Sequence, residues 1–176
     1  MTCTQLVAEA ERRTQEQAER VRAKIATLDE EAWQRTAPGS DWSPGGILEH
    51  MMLGNAAYFP ALEAAVPASK PGGTHEARST LFGRLLLKAA GPAGNAPAPK
   101  ALIPDAGPYD RKTVSERWLS DQARFGRWLE SVRDVDLSRT KIRNPLVPLF
   151  RMNLVDCVLV LTEHTERHVR QIEAAT

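Results

Sequence analysis

Apolar residues in this chain recur at steps of three and four, the period of one helix face, in long stretches separated by turn-forming residues. Residues 2–28 form a charged run without Pro or Gly in which Val21, Ile25 and Leu28 mark one face, and residues 29–34 add a short further turn of helix. The run from Thr36 to Trp42, with Pro38 and Gly39 inside it, breaks the period. Ser43 followed by Pro44 reads as an N-cap with proline in the first helical position. It predicts a second long helix to about Ala65, striped by Ile47, His50/Met51, Gly54 and Tyr58. A shorter helix is expected over Ser79–Ala90. The capping-box pair Thr113 and Glu116 predicts a third long helix marked by Val114, Trp118, Phe125, Leu129 and Val132. After Pro145 and Pro148, a last helix is expected over Asn153–Ala174 with Asn153 as its N-cap.

No stretch alternates apolar and polar residues as a strand would, so the predicted class is all-α. Four long helices, with a Pro- and Gly-rich connection between the second and third, describe a four-helix bundle with one long crossover. Such a connection permits the two helices it joins to run parallel. The length of 176 residues fits a single domain over 1–176. With 23 Lys and Arg against 22 Asp and Glu, the net charge of +1 argues against a dedicated nucleic-acid binder. Residues 70–112 hold seven Lys or Arg and three Asp or Glu, a local excess of four positive charges on the crossover. No apolar run approaches the roughly 20 residues of a membrane span, and the first residues lack the apolar core of a signal peptide. A cytoplasmic protein is therefore expected. Two cysteines, Cys3 and Cys157, exclude a disulfide-dense fold and any Cys-x-x-Cys metal or redox pair, which leaves metal chemistry to the four histidines.

Three of these lie on inward stripes. His164 and His168 are four residues apart, on one face and about one turn (~6 Å) along the axis, and they continue the apolar stripe Leu154, Cys157, Leu161. His50 sits beside Met51 on the inward stripe of the second helix. Three inward histidines on two helices can converge on one ion and leave positions open for water or substrate. Alternatively, each is a hydrogen-bonded core histidine. His75 reads as a solvated loop residue. Sharper motifs are excluded: Thr165 stands where a zinc protease needs Glu after the first histidine, and the residues three before His50, His164 and His168 are Ile47, Leu161 and Thr165, where a di-iron bundle needs Glu. Gly-x-Ser-x-Gly, Walker and dinucleotide fingerprints are absent.

The ordered set of Trp42-Ser-Pro, Ile47-Leu-Glu-His50, His164-x-x-x-His168 and Gln171-Ile172 resembles the DinB-like metal-dependent four-helix superfamily, and Lys100–Pro104 is similar to segments of some members. The resemblance runs from the first helix to the last. It implies a divalent ion, zinc or nickel, on His50, His164 and His168. It also implies chemistry of the thiol S-transferase type, as in bacillithiol transferases and, more distantly, mycothiol-dependent maleylpyruvate isomerases. The metal would hold a low-molecular-weight thiol as its thiolate. The alternatives are a non-catalytic bundle binding metal or a small ligand, a metal-dependent hydrolase using activated water, and a structural or dimerising domain. A homodimer is compatible with each.

Cys157 reads as a buried structural cysteine. Asp121 and Gln122 interrupt the third helix's stripe, either as polar support for a ligand histidine or, as favoured, with Asp121 in water. The basic crossover reads either as an attractor of an anionic thiol or carboxylate substrate or, as favoured, as a solvated loop. Trp33, Trp42, Trp118 and Trp128 read as core and helix-junction packing.

Overall fold

A computed structural model describes residues 1–94 and 96–176. The elements are α1 (Cys3–Thr27), α2 (Glu30–Gln34), α3 (Pro44–Ala65), α4 (Leu81–Ala90), α5 (Arg111–Ser131), β1 (Lys141–Arg143), β2 (Arg151–Asn153) and α6 (Leu154–Glu173). The chain is mostly helical, and α1, α3, α5 and α6 form the bundle. Cross-helix ion pairs fix their directions. Arg13 pairs with Glu163 and Arg20 with Glu173, so α1 and α6 run parallel. Glu49 pairs with Arg117 and Glu63 with Arg124, so α3 and α5 also run parallel. Glu11 meets Arg133 while the Leu28 carbonyl meets Arg111, which sets the first pair antiparallel to the second. Two parallel neighbours need a connection that travels back along the bundle. Residues 66–110 supply it, and α4 lies within them, packing Phe82 and Leu86 against the core.

The helix starts follow the caps. The Ser43 side chain accepts from Gly46 N, and Asn153 and Asp156 form a reciprocal box at the start of α6. Two starts differ from the sequence reading. Helix α4 begins at Leu81 because the Thr80 hydroxyl, one residue beyond Ser79, accepts from Gly83 N at 2.9 Å. Helix α5 begins at Arg111 because Asp110 accepts from Thr113 N at 2.8 Å, which makes Thr113 part of the first turn and not the cap. The structure also contains an antiparallel pair, β1 with β2, that was not expected. Its strands are three residues each, too short for alternation to register. Ile142 and Met152, directly opposed, turn inward, and Asn153 at the end of β2 is buried as the cap of α6.

The core divides along the bundle axis. One apolar cluster holds Val7, Phe59, Leu62, Leu129 and Val158, and the other holds Ile25, Trp33, Ile47, Trp118 and Ile172. Between them every long helix contributes buried polar groups: Gln17, His50 and Asn55, Gln122, and Thr162, Thr165, Glu166 and His168. Gln122 thus faces the bundle interior. Asp121 is half-buried, in contrast to the expectation of a solvated side chain. Burial raises its carboxyl pKa against the opposing hydrogen bond with Asn55. Trp33, Trp118 and Trp128 are core residues as expected.

Candidate metal centre

The polar region opens to the exterior on one side, between α3 and α6. Glu166 determines which side of α6 that is. Its carboxylate receives Arg20 Nη1 at 2.9 Å and Gln17 Nε2 at 3.2 Å from α1, and Arg170 Nε at 2.9 Å. Burial pushes this carboxyl up, but the three hydrogen bonds outweigh it and hold the pKa at about 2. A residue two positions from each of His164 and His168 lies on the opposite helix face. Anchoring Glu166 to α1 therefore turns both imidazoles toward α3.

There they meet His50. His164 Nε2 lies 3.2 Å from His50 Nε2 and 3.1 Å from His168 Nε2, and one ligand atom from each ring falls within 4.8 Å of the others. The far nitrogens are already engaged. His50 Nδ1 donates to the Leu102 carbonyl at 2.7 Å, and His168 Nδ1 to Gln171 Oε1 at 2.7 Å. Gln171 is itself held, since its amide donates to the Gly39 carbonyl. With both Nδ1 atoms protonated, the neutral rings of His50 and His168 present lone pairs on Nε2. A proton on His164 Nε2 satisfies only one of them. One cation shared by all three nitrogens removes this conflict, so the residues present fit a divalent ion with a three-imidazole donor set.

The electrostatics agree. Burial pushes the pKa of His50 and of His168 down, and that of His164 down to about 3. Neutral imidazole is the form that binds metal. A pH prediction follows for the chelator-treated protein. The unfolded chain takes up protons near pH 6.5 that the folded chain refuses. Stability contributed by the neutral rings is therefore complete above about pH 6.5 and falls as the pH drops, by about 1.4 kcal/mol per unit for each refused proton. Urea midpoints measured from pH 7 to 5 check this. The slope should flatten in His164→Asn.

The site lies in a cavity of about 600 Å³. Trp42 forms one wall, with its ring centroid 4.5 Å from that of His50. Leu86 and Ala89 of α4, with Pro97 and Leu102 of the crossover, form another. The crossover thus shapes the cavity, but its lysines and arginines do not line it. The cation among the described lining residues is Arg167 of α6.

A family model described as the DinB superfamily matches residues 13–172. The chain belongs to the DinB superfamily. Searches of curated proteins and of solved structures found no match. Within this DinB-superfamily bundle the motif residues acquire physical roles: Trp42 walls the cavity, the Lys100–Pro104 segment supplies the Leu102 carbonyl, and Gln171 orients His168. The remaining histidine, His75, lies away from the centre. It is not simply solvated, because its Nδ1 is 2.7 Å from Oδ2 of buried Asp136 and ties the crossover to the turn after α5. Cys157 is fully buried, as expected, with Sγ 3.2 Å from the Asn153 carbonyl, and burial pushes its thiol pKa up. Sequence reasoning missed Leu102 and Arg167. A backbone carbonyl has no sequence signature, and an arginine between Glu166 and His168 looks like ordinary helix surface.

Proposed function

We propose that this DinB-superfamily protein is a metal-dependent enzyme of the thiol S-transferase type, with zinc or nickel on His50, His164 and His168. The reading rests on one observation above all: three imidazole nitrogens converge beside a cavity of about 600 Å³ instead of being closed over by the core. Three protein ligands leave room for a substrate atom, as reactive sites require. A divalent ion held there would supply Lewis acidity that keeps a low-molecular-weight thiol as its thiolate at neutral pH.

The protein's own groups do the rest. Leu102 and Gln171 hold the protons on Nδ1 and so keep both Nε2 lone pairs free. Trp42, Leu86 and Pro97 exclude water from one side and offer an apolar surface to the electrophile. The nucleophile must come from solution, because Cys3 and Cys157 are both fully buried. Among the described lining residues the sole carboxylate is the exposed Asp41, which leaves hydrolysis without a sheltered general base and favours thiol transfer over activated water.

The test is thiol transfer to 1-chloro-2,4-dinitrobenzene, using several low-molecular-weight thiols with chelator-treated and zinc- or nickel-reconstituted protein. Turnover should require the metal and fall at least about 100-fold in His164→Ala. Stoichiometric metal without turnover on any thiol contradicts the catalytic reading.

A further inference from the structure

Arg167 occupies the position directly before His168 and one turn after His164, and its side chain lines the cavity. Among the described residues it makes neither an ion pair nor a hydrogen bond, whereas Arg13, Arg20, Arg117, Arg124, Arg133 and Arg170 all hold carboxylates. Asp41 shares the lining but forms no ion pair with it. The cavity wall carries the polar groups Ser40, Asp41, Tyr58 and Gln171 beside the apolar Leu86, Ala89, Pro97, Leu146 and Val160.

This placement opposes the binding of a bare metal ion. A guanidinium on the same cavity wall as three imidazoles repels a divalent cation. The arrangement becomes favourable once an anion sits between the guanidinium and the histidines. Guanidinium presents a planar fork of N–H donors that matches the two oxygens of a carboxylate. One such fork, with no lysine or second arginine among the described lining residues and with Leu86, Ala89 and Pro97 across the cavity wall, suits one carboxylate followed by a hydrocarbon body.

We infer that Arg167 anchors the carboxylate of the small molecule whose donor atom reaches His50, His164 and His168. The substrate class is then a carboxylate-bearing thiol, with its apolar remainder, or its electrophilic partner, against α4 and the crossover. The word thiol rests on the function proposed above; the anion site does not.

Two binding measurements separate these. In the first, chelator-treated full-length protein is titrated with 3-phenylpropionate and with 3-phenylpropionamide by calorimetry. The acid should bind about 10-fold tighter than the amide, the worth of one charge-assisted hydrogen-bonded pair. In the second, cobalt-loaded protein is titrated with 3-mercaptopropionate and with 2-mercaptoethanol, read by the thiolate-to-cobalt absorption band. A similar preference for the acid is expected. Arg167→Gln should erase both preferences while leaving the amide affinity unchanged, and Arg167→Lys should retain part of each. The variant should melt with the wild type, since no internal partner is lost. Acid and amide that do not differ in the wild type, including binding of neither, overturn the inference, as does a preference that survives Arg167→Gln. Discrimination in the first measurement without any thiolate band in the second keeps the anion site and overturns the thiol reading.

Discussion

Replacing His168 with alanine is expected to weaken binding of a divalent ion by at least about 100-fold. Its Nε2 is one of three nitrogens gathered within 4.8 Å, and removing it leaves two imidazoles from different helices. Loss of a partner that merely orients a ligand already costs about 10–100-fold in metal affinity, so loss of a ligand itself should cost more. The internal comparison is Gln171→Leu. It leaves the ligand in place but removes the acceptor 2.7 Å from His168 Nδ1, and should fall in the smaller range. Competition titration against a chromophoric chelator measures both. Equal affinities for His168→Ala and the wild type would remove His168 from the donor set. The fold should tolerate the change, because the histidines lie between the two apolar clusters and contribute little to either.

Asp156→Ala should strongly destabilise the fold. Its carboxylate is buried in the first turn of α6 and accepts Thr80 N at 3.0 Å, the Thr80 hydroxyl at 2.7 Å and Asn153 N at 3.0 Å. One carboxylate thereby holds the cap residues of both α4, Thr80, and α6, Asn153. Removing it strands three donors at the junction of α4 and α6, a loss of about 3–5 kcal/mol at roughly 1–3 kcal/mol for each unsatisfied group. For a chain of this size that corresponds to a fall of about 10 °C in melting temperature. Gly83 explains why the junction tolerates so little. A Cβ there would lie 2.0 Å from the Asp156 carboxylate, so Gly83→Ala should damage the same contact from the other side. Thermal unfolding followed by circular dichroism measures both variants. A loss below about 1 kcal/mol for Asp156→Ala contradicts this role.

The bundle was legible because its signals are local and repeated. Ser43-Pro44 and Asn153 cap the helices they were expected to cap, and the long crossover between α3 and α5 agrees with their parallel course. The convergence of His50 with His164 and His168 could be anticipated from phase, since each continues an apolar stripe. Other features depend on tertiary context that periodicity cannot carry. The β1–β2 pair has one buried apolar residue per strand, Ile142 and Met152, which is no pattern at all. Glu166 reads as an exposed helix charge until α1 is placed against it, and only then becomes the anchor that turns α6. Leu102 contributes a carbonyl, and its side chain announces nothing about that role. The crossover's excess charge was visible, but the cation facing the cavity belongs to α6.

The proposed centre is one divalent ion held by three imidazoles from α3 and α6. X-ray absorption spectroscopy of chelator-treated protein, reloaded with one equivalent of zinc, tests this most directly. The account predicts one tightly bound ion per chain whose inner shell contains three imidazole nitrogens at about 2.0–2.1 Å, with one of them lost in His168→Ala. An ion that fails to bind at one equivalent, or a shell without imidazole, would contradict it.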